Sequence, residues 1–169
     1  ALAFNPRQST TSKHFGTLHI AMAFNKPQCV EFIMVKAPEI WSKVSKSEAS
    51  PSEFSETFTD PDGRSPLHYA VYYGNTQCAA TFITHAKDKM KVINAQDKRG
   101  VTPLAMATAL GYPECVKLLL SHKADLNLCQ NVVGWNPLHF AAFENQAECL
   151  KLLLEQSTPA QGIFLVKNF

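Results

Sequence analysis

The chain of 169 residues is long enough for one compact domain or a short array of repeats. Hydrophobic residues make up 46% and charged residues 18%, which excludes a disordered chain and fits a folded one. The formal net charge of +2 gives no reason to expect a nucleic-acid partner. We also expect no membrane insertion, because no apolar run approaches the roughly 20 residues that a span requires.

The cysteines favour a reducing, intracellular compartment, either cytoplasm or nucleus. Their number is odd and they form no C-x-x-C pair, which argues against a disulfide framework or a zinc finger. They are Cys29, Cys78, Cys115, Cys129 and Cys149. The N-terminus has no basic segment followed by a long apolar one, so we expect no signal peptide. Because the chain begins with Ala1, we expect it to be a segment of a longer polypeptide.

Taken in chain order, the sequence predicts four copies of one unit. Each copy is marked by a leucine, and the successive leucines are 49, 37 and 34 residues apart: Leu18, Leu67, Leu104 and Leu138. An alanine follows each leucine after three residues, a turn former after seven and a cysteine after eleven. Such phase-locking indicates an internal repeat. The longest spacing places an insertion at 38–59, whose start (38–46) could form a helical turn or two and whose end reads as a loop.

Each copy is predicted to contain two short helices. In the last three copies a proline precedes the leucine, and a good N-cap residue precedes the proline: Ser65-Pro66, Thr102-Pro103 and Asn136-Pro137. The first helix ends after about two turns at glycine or asparagine. The second helix carries pairs of apolar residues one turn apart, such as Cys149-Leu150 and Leu153-Leu154. Neither helix could bury its apolar stripe alone, so the copies are expected to stack.

These helix starts resemble the ankyrin repeat. The residues that carry the resemblance are S-P-L-H at 65–68, T-P-L-A at 102–105, N-P-L-H at 136–139 and, without the proline, G-T-L-H at 16–19. The resemblance implies an all-α ankyrin-repeat solenoid of four helix-turn-helix repeats with a long insertion after the first. The predicted boundaries are an ankyrin-repeat domain at 1–156, with repeats at about 12–37, 60–86, 97–123 and 131–156, and a C-terminal tail or cap at 157–169.

The resemblance also assigns structural roles. In ankyrin proteins the histidine of the motif bonds to backbone groups between repeats, which implies this role for His19, His68 and His139. The aligned cysteines are expected to fill gaps between second helices, and Cys129, in a joint, is expected to be the most reactive thiol. We find no catalytic constellation, metal-ligand spacing or cofactor fingerprint, so no enzyme, metal or cofactor is expected.

The remaining large or charged residues are candidates for partner binding. Ankyrin proteins bind through the finger tips between repeats and the outward face of the first helices. Mapped onto this chain, that surface comprises Phe24, Arg64, Tyr72, Tyr73, Lys98, Arg99, Leu110, Val133, Trp135 and Phe143. Trp135 is the best single anchor, since tryptophan is enriched at interface hot spots. Alternatively, Tyr72 and Phe143 pack between neighbouring first helices. A basic cluster could meet an acidic partner or a phosphate, or could form a solvated loop: Lys87, Lys89, Lys91, Lys98 and Arg99.

The function expected from this surface is a non-catalytic interaction module or scaffold. It would hold a protein or peptide partner in its concave groove and would be monomeric in isolation. The alternative is a regulatory or targeting ankyrin segment of a larger enzyme or ion channel. The spacing of Leu119, Asp125 and Asn127 is similar to that of ankyrin segments hydroxylated on asparagine, so Asn127 is a candidate for modification.

Overall fold

The computed structural model describes residues 16–36, 59–128, 130 and 133–156. Within these ranges the chain is entirely helical, with nine helices and no strand. The helices are α1 (Thr17–Ala23), α2 (Pro27–Val35), α3 (Pro66–Tyr72), α4 (Thr76–His85), α5 (Lys89–Ile93), α6 (Pro103–Ala109), α7 (Pro113–Ser121), α8 (Pro137–Phe143) and α9 (Ala147–Gln156). The predicted turns at 38–46, Cys129 and the tail at 157–169 lie outside the described residues.

The helices form two layers. The first helices of the four pairs (α1, α3, α6 and α8) pack side by side in chain order, and the second helices (α2, α4, α7 and α9) pack behind them. The motif leucines Leu18, Leu67 and Leu104 are fully buried between the layers. This arrangement buries the apolar stripe that each helix would otherwise expose, and it confirms the predicted solenoid.

Side-chain caps start the last three first helices, and a residue with positive φ follows all four, as the sequence predicts. Thr102 Oγ1 accepts the amide N–H of Ala105 at 3.1 Å, and Asn136 Oδ1 accepts that of His139 at 3.2 Å. These caps satisfy amide groups that have no partner within the helix. After α3, Gly74 takes a φ of +67°, a left-handed conformation that costs glycine little.

The cysteines differ between copies because each one faces the preceding repeat. Cys78 Sγ lies 3.4 Å from Asn25 Oδ1, and Cys115 Sγ lies 3.5 Å from Thr76 Oγ1. Burial is the main cause that raises the thiol pKa of Cys78 and Cys115. The expectation that every aligned cysteine fills a gap is wrong for Cys29, which is exposed. The described residues place no repeat in front of it.

A short helix that the sequence did not predict follows the second repeat. The extra residues around 87–94 form α5, and the Asp88 side chain caps it by accepting the Lys91 amide N–H at 3.0 Å. Its residues Val92 and Ile93 are buried and anchor the helix to the core. Of the predicted basic cluster, Lys89 and Lys91 therefore lie on the exposed side of a packed helix, whereas Lys87 precedes it and Lys98 and Arg99 lie in the following turn.

The finger between the first two repeats should tolerate no side chain at Gly63. Its φ is +79°, and a Cβ there would lie 2.9 Å from the backbone nitrogen of Lys98. We expect Gly63→Ala to lower the free energy of unfolding by about 3 kcal/mol, from left-handed strain plus the clash. The control is Gly134→Ala, where φ is +68° and a Cβ meets no atom of the described residues within 4 Å. Strain alone should cost it about 1 kcal/mol. Equal losses in denaturant unfolding would contradict the clash.

Candidate partner-binding surface

The first finger is built on a buried carboxylate. Asp60 Oδ1 accepts the amide N–H groups of Asp62 at 2.9 Å and Arg64 at 2.7 Å, and Oδ2 accepts the Tyr69 hydroxyl at 2.6 Å. Burial, followed by this hydrogen bond, raises the pKa of Tyr69. The turn closes with the Gly63 amide donating to the Asp60 carbonyl at 2.9 Å. Arg64 therefore leaves the finger from a fixed backbone.

The second finger repeats this design one repeat further on. Asp97 Oδ1 accepts the amide N–H groups of Arg99 and Val101, each at 2.9 Å. The Lys98 amide donates to the Asp62 carbonyl at 2.9 Å, which ties the second finger to the first. Lys98 and Arg99 thus project from a tip that is held at both ends. Because the backbone of the turn is already fixed, it loses little freedom when a partner binds.

The third finger differs in length and support. Its turn closes between the Gly134 amide and the Gln130 carbonyl at 3.0 Å, four residues apart, where the first two fingers close over three. The Gln130 amide donates to the Trp135 carbonyl at 2.9 Å and completes the finger. The turn of the third finger is thus one residue longer than the turns of the first two.

Two of the three predicted histidine bridges are present. Nε2 of His19 lies 3.1 Å from the Arg64 carbonyl, and Nε2 of His68 lies 2.9 Å from the Val101 carbonyl. In His68, Nδ1 accepts the Ser65 amide N–H at 3.1 Å, so Nε2 carries the proton and donates. The third copy has Ala105 at this position and cannot form the bridge.

His139 shows only half of this pattern within the described residues. Its Nδ1 accepts the Asn136 amide N–H at 3.3 Å, as in the capping arrangement of His68. Its Nδ1 also lies 2.7 Å from Asn136 Oδ1, so both of these contacts stay within its own repeat. Its predicted role between repeats therefore remains a prediction.

An aromatic cluster lies on the fourth repeat. The Trp135 ring lies 4.9 Å from that of Phe143, in a tilted arrangement, and 5.5 Å from that of Phe140, edge to face. Trp135 is half-buried, whereas Phe143 is 68% exposed and Val133 is 47% exposed. The alternative that Phe143 packs between first helices is therefore wrong. Phe143 is thus the ring of this cluster that is most open to solvent.

The ten predicted binding residues divide into two groups. The exposed ones are Phe24, Lys98, Arg99, Val133 and Phe143, and the half-buried ones are Arg64, Tyr72, Tyr73, Leu110 and Trp135. Tyr72 and Tyr73 contact each other edge to face at 5.0 Å and pack against the core. The structure therefore places the two tyrosines partly in a structural role and brings Trp135 and Phe143 together.

Sequence reasoning missed one exposed residue of the first-helix layer. Ile20 is 48% exposed, although Tyr69 and Met106, which hold the same position two residues after the motif leucine, are buried. The repeat alignment could have placed Ile20 on the outward face with Phe24. Its exposure depends on what packs beside the first repeat, which the alignment does not contain.

Other parts of the described chain offer less for binding chemistry. The residues described contain no group of three or more metal-ligating side chains, and none of their helices has the length and apolar character for crossing a bilayer. Asn127 is exposed in the turn after α7, where its amide donates to Asp125 Oδ1 at 2.8 Å. It lines an open cavity of about 430 Å³ together with Met90, Leu120 and Gln156. Its hydroxylation remains a prediction.

Stacked helix pairs, joined by rigid fingers and bridged by histidines, define a helical-repeat solenoid. A family model described as ankyrin repeats (3 copies) matches residues 18–128 and 89–162. The chain belongs to the ankyrin-repeat family, as the resemblance of its motifs implied. Ankyrin repeats generally mediate protein–protein interaction, and the repeat domain is in general non-catalytic.

Three curated relatives illustrate the range of proteins that carry similar repeats. Ankyrin repeat domain-containing protein 13C of Danio rerio is 32% identical over 114 residues, which is 68% of this chain and 21% of that protein. The E3 ubiquitin-protein ligase XBAT33 of Arabidopsis thaliana is 29% identical over 112 residues, 62% of this chain and 21% of the ligase. The transient receptor potential cation channel subfamily A member 1 of Homo sapiens is 32% identical over 94 residues, which is 56% of this chain and 8% of the channel. The matches thus span about a fifth or less of these relatives.

Proposed function

We propose that this chain is a non-catalytic interaction module that holds a peptide or protein segment against its fingers and first helices. The observation that carries the proposal is the position of Phe143, an exposed ring in tilted contact with Trp135, the residue that closes the third finger. An aromatic face of this kind offers a large contact area at a small cost in side-chain entropy. The rigid first and second fingers extend the same surface and supply charged groups.

The test is a selection of binding peptides followed by a matched pair of variants. Peptides are selected from a random displayed library on the parent chain, and their Kd is measured for the parent, Phe143→Ala and Phe32→Ala. Phe32 lies on α2, in the layer of second helices, and is 56% exposed. We expect Phe143→Ala to weaken binding by about 30-fold, as for a hot spot, and Phe32→Ala to leave it unchanged. Equal Kd values for all three proteins would refute the groove.

A second candidate function is a regulatory or targeting segment within a larger enzyme or channel. It is favoured by the similarity to a ubiquitin ligase and a cation channel over stretches that are 21% and 8% of those proteins. The full reading frame around this chain decides the matter directly. A transmembrane or catalytic domain in the same frame would support this candidate, and a frame with repeats alone would contradict it.

The proposed compartment is the cytoplasm or nucleus, where the reducing environment keeps thiols free. Cys29, Cys78, Cys115 and Cys149 are all free, and the last three are buried. Fluorescence microscopy of the tagged full-length protein tests this proposal, and signal confined to the secretory pathway would count against it. We also propose a scaffold role and a monomeric state in isolation. Light scattering tests the monomeric state.

A further inference from the structure

The second finger has a basic tip. Arg99 Nη2 lies 3.6 Å from Asp97 Oδ2, but that carboxylate is almost fully buried and also accepts two amide N–H groups. Lys98 is exposed, and the described part of the chain holds no carboxylate within ion-pair distance of it. The neighbouring anion, Asp62, lies 3.8 Å from Arg64 on the first finger. The tip of the second finger therefore presents a net positive charge.

The first helix of the next repeat ends in an exposed aromatic ring. Phe143 of α8 holds the same repeat position as Ala109 of α6, five residues after the motif leucine. The first helices α6 and α8 are neighbours, so a large exposed ring stands beside a small side chain. The step between them suits one apolar side chain that contacts the Phe143 ring. The exposed Glu144 next to Phe143 disfavours an acidic group at the same spot.

The two features are separated by one repeat. The second finger precedes α6, whereas Phe143 is the last residue of α8, so the features are separated by about 10 Å between neighbouring helices and by about 10 Å along the helix. An extended peptide advances about 3.3 Å per residue, so about five residues connect the two features. We infer that the occupant of the groove is an acidic peptide segment, whose Asp or Glu contacts Lys98 and Arg99 and whose apolar residue, about five positions away, packs on Trp135 and Phe143. This inference rests on the proposed function and adds the chemical class of the partner.

The test uses labelled peptides that differ only in charge. One carries an Asp-Glu pair about five residues from a leucine, and two matched peptides carry Lys-Lys or Ser-Ser at the pair. Fluorescence anisotropy should give the acidic peptide a Kd at least about tenfold lower than that of the Ser-Ser peptide. The Lys-Lys peptide should bind more weakly than the Ser-Ser peptide. The advantage should shrink as salt is raised from about 0.05 M to about 0.5 M, because exposed charges are screened.

Two charge-reversed proteins locate the effect. The variant Lys98→Glu/Arg99→Glu should lose the preference for the acidic peptide. Its control, Lys89→Glu/Lys91→Glu, makes the same change in net charge on exposed residues of α5 and should keep that preference. Circular dichroism confirms that both variants remain folded.

The outcomes separate this inference from the proposed function. An acidic preference that survives Lys98→Glu/Arg99→Glu, or no binding of the acidic peptide, overturns the inference. If library-selected peptides depend on Phe143 yet show no acidic preference, the groove stands and only the acidic class is wrong. If they bind independently of Phe143, the proposed function itself fails.

Discussion

Acidification from pH 6.5 to about 4 is expected to remove about 3 kcal/mol from the free energy of unfolding through His68 alone. Its ring is fully buried and bridges two repeats through the Val101 carbonyl. Burial lowers the pKa of His68 from 6.5 to about 4, against the opposing effect of that hydrogen bond. Because the folded protein resists protonation and the unfolded chain does not, stability is full above pH 6.5 and falls as pH decreases toward 4.

The variant His68→Gln should be less stable than the parent at neutral pH but less sensitive to acid. Gln can keep the capping box with Ser65 but loses the bridge to the Val101 carbonyl, so we expect the variant to be about 2 kcal/mol less stable at neutral pH. It should also lose less stability on acidification, and the two profiles should converge near pH 4. Both proteins keep the same carboxylates, so the difference between their urea-unfolding profiles isolates His68.

A second histidine supplies the control. His85 bonds only within its own helix, to the Thr81 carbonyl at 2.9 Å, and bridges no repeats. His85→Gln should therefore keep the parental pH profile, with at most a small uniform loss. A His68→Gln profile parallel to that of the parent would show that the bridge does not control acid stability. Burial also lowers the pKa of His19, so part of the parental pH dependence should remain in His68→Gln.

The repeat could be predicted because its signals are local. Ser65 and Pro66 start a helix through capping chemistry that acts within one turn, and Gly74 ends it through its left-handed backbone. The role of His68 followed from the family resemblance, and its bond to Val101 confirms that role. Features fixed within one repeat unit could thus be read from the order of residues.

Exposure could not be predicted in the same way, because it depends on neighbouring repeats. Cys29 matches Cys78 in sequence, yet only Cys78 has the turn of a preceding repeat against it. Leu110 and Phe143 both belong to outward positions, but Leu110 packs partly on the core and Phe143 projects. The extra turn α5 shows the same limit, since four inserted residues do not reveal whether they form a loop or a helix.

Replacing Asp60 by alanine is expected to cost about 4 kcal/mol of stability, because three donors lose their acceptor at once. The Asp62 and Arg64 amides bond to Oδ1, and the Tyr69 hydroxyl bonds to Oδ2 at 2.6 Å. Tyr69 is almost fully buried, so its hydroxyl would have little access to water. Most of the loss should therefore come from unpaired groups rather than from the missing carboxylate itself.

A double-mutant cycle tests this explanation. Tyr69→Phe alone should cost about 2 kcal/mol, because it leaves one carboxylate oxygen without its buried donor. In the Asp60→Ala background the same change should cost little or even stabilise, since it removes a buried hydroxyl that has lost its Asp60 acceptor. The coupling energy should then reach about 2 kcal/mol. Additive losses in chemical denaturation would mean that the hydroxyl finds another acceptor, and that the first finger is held by its backbone turn rather than by its carboxylate.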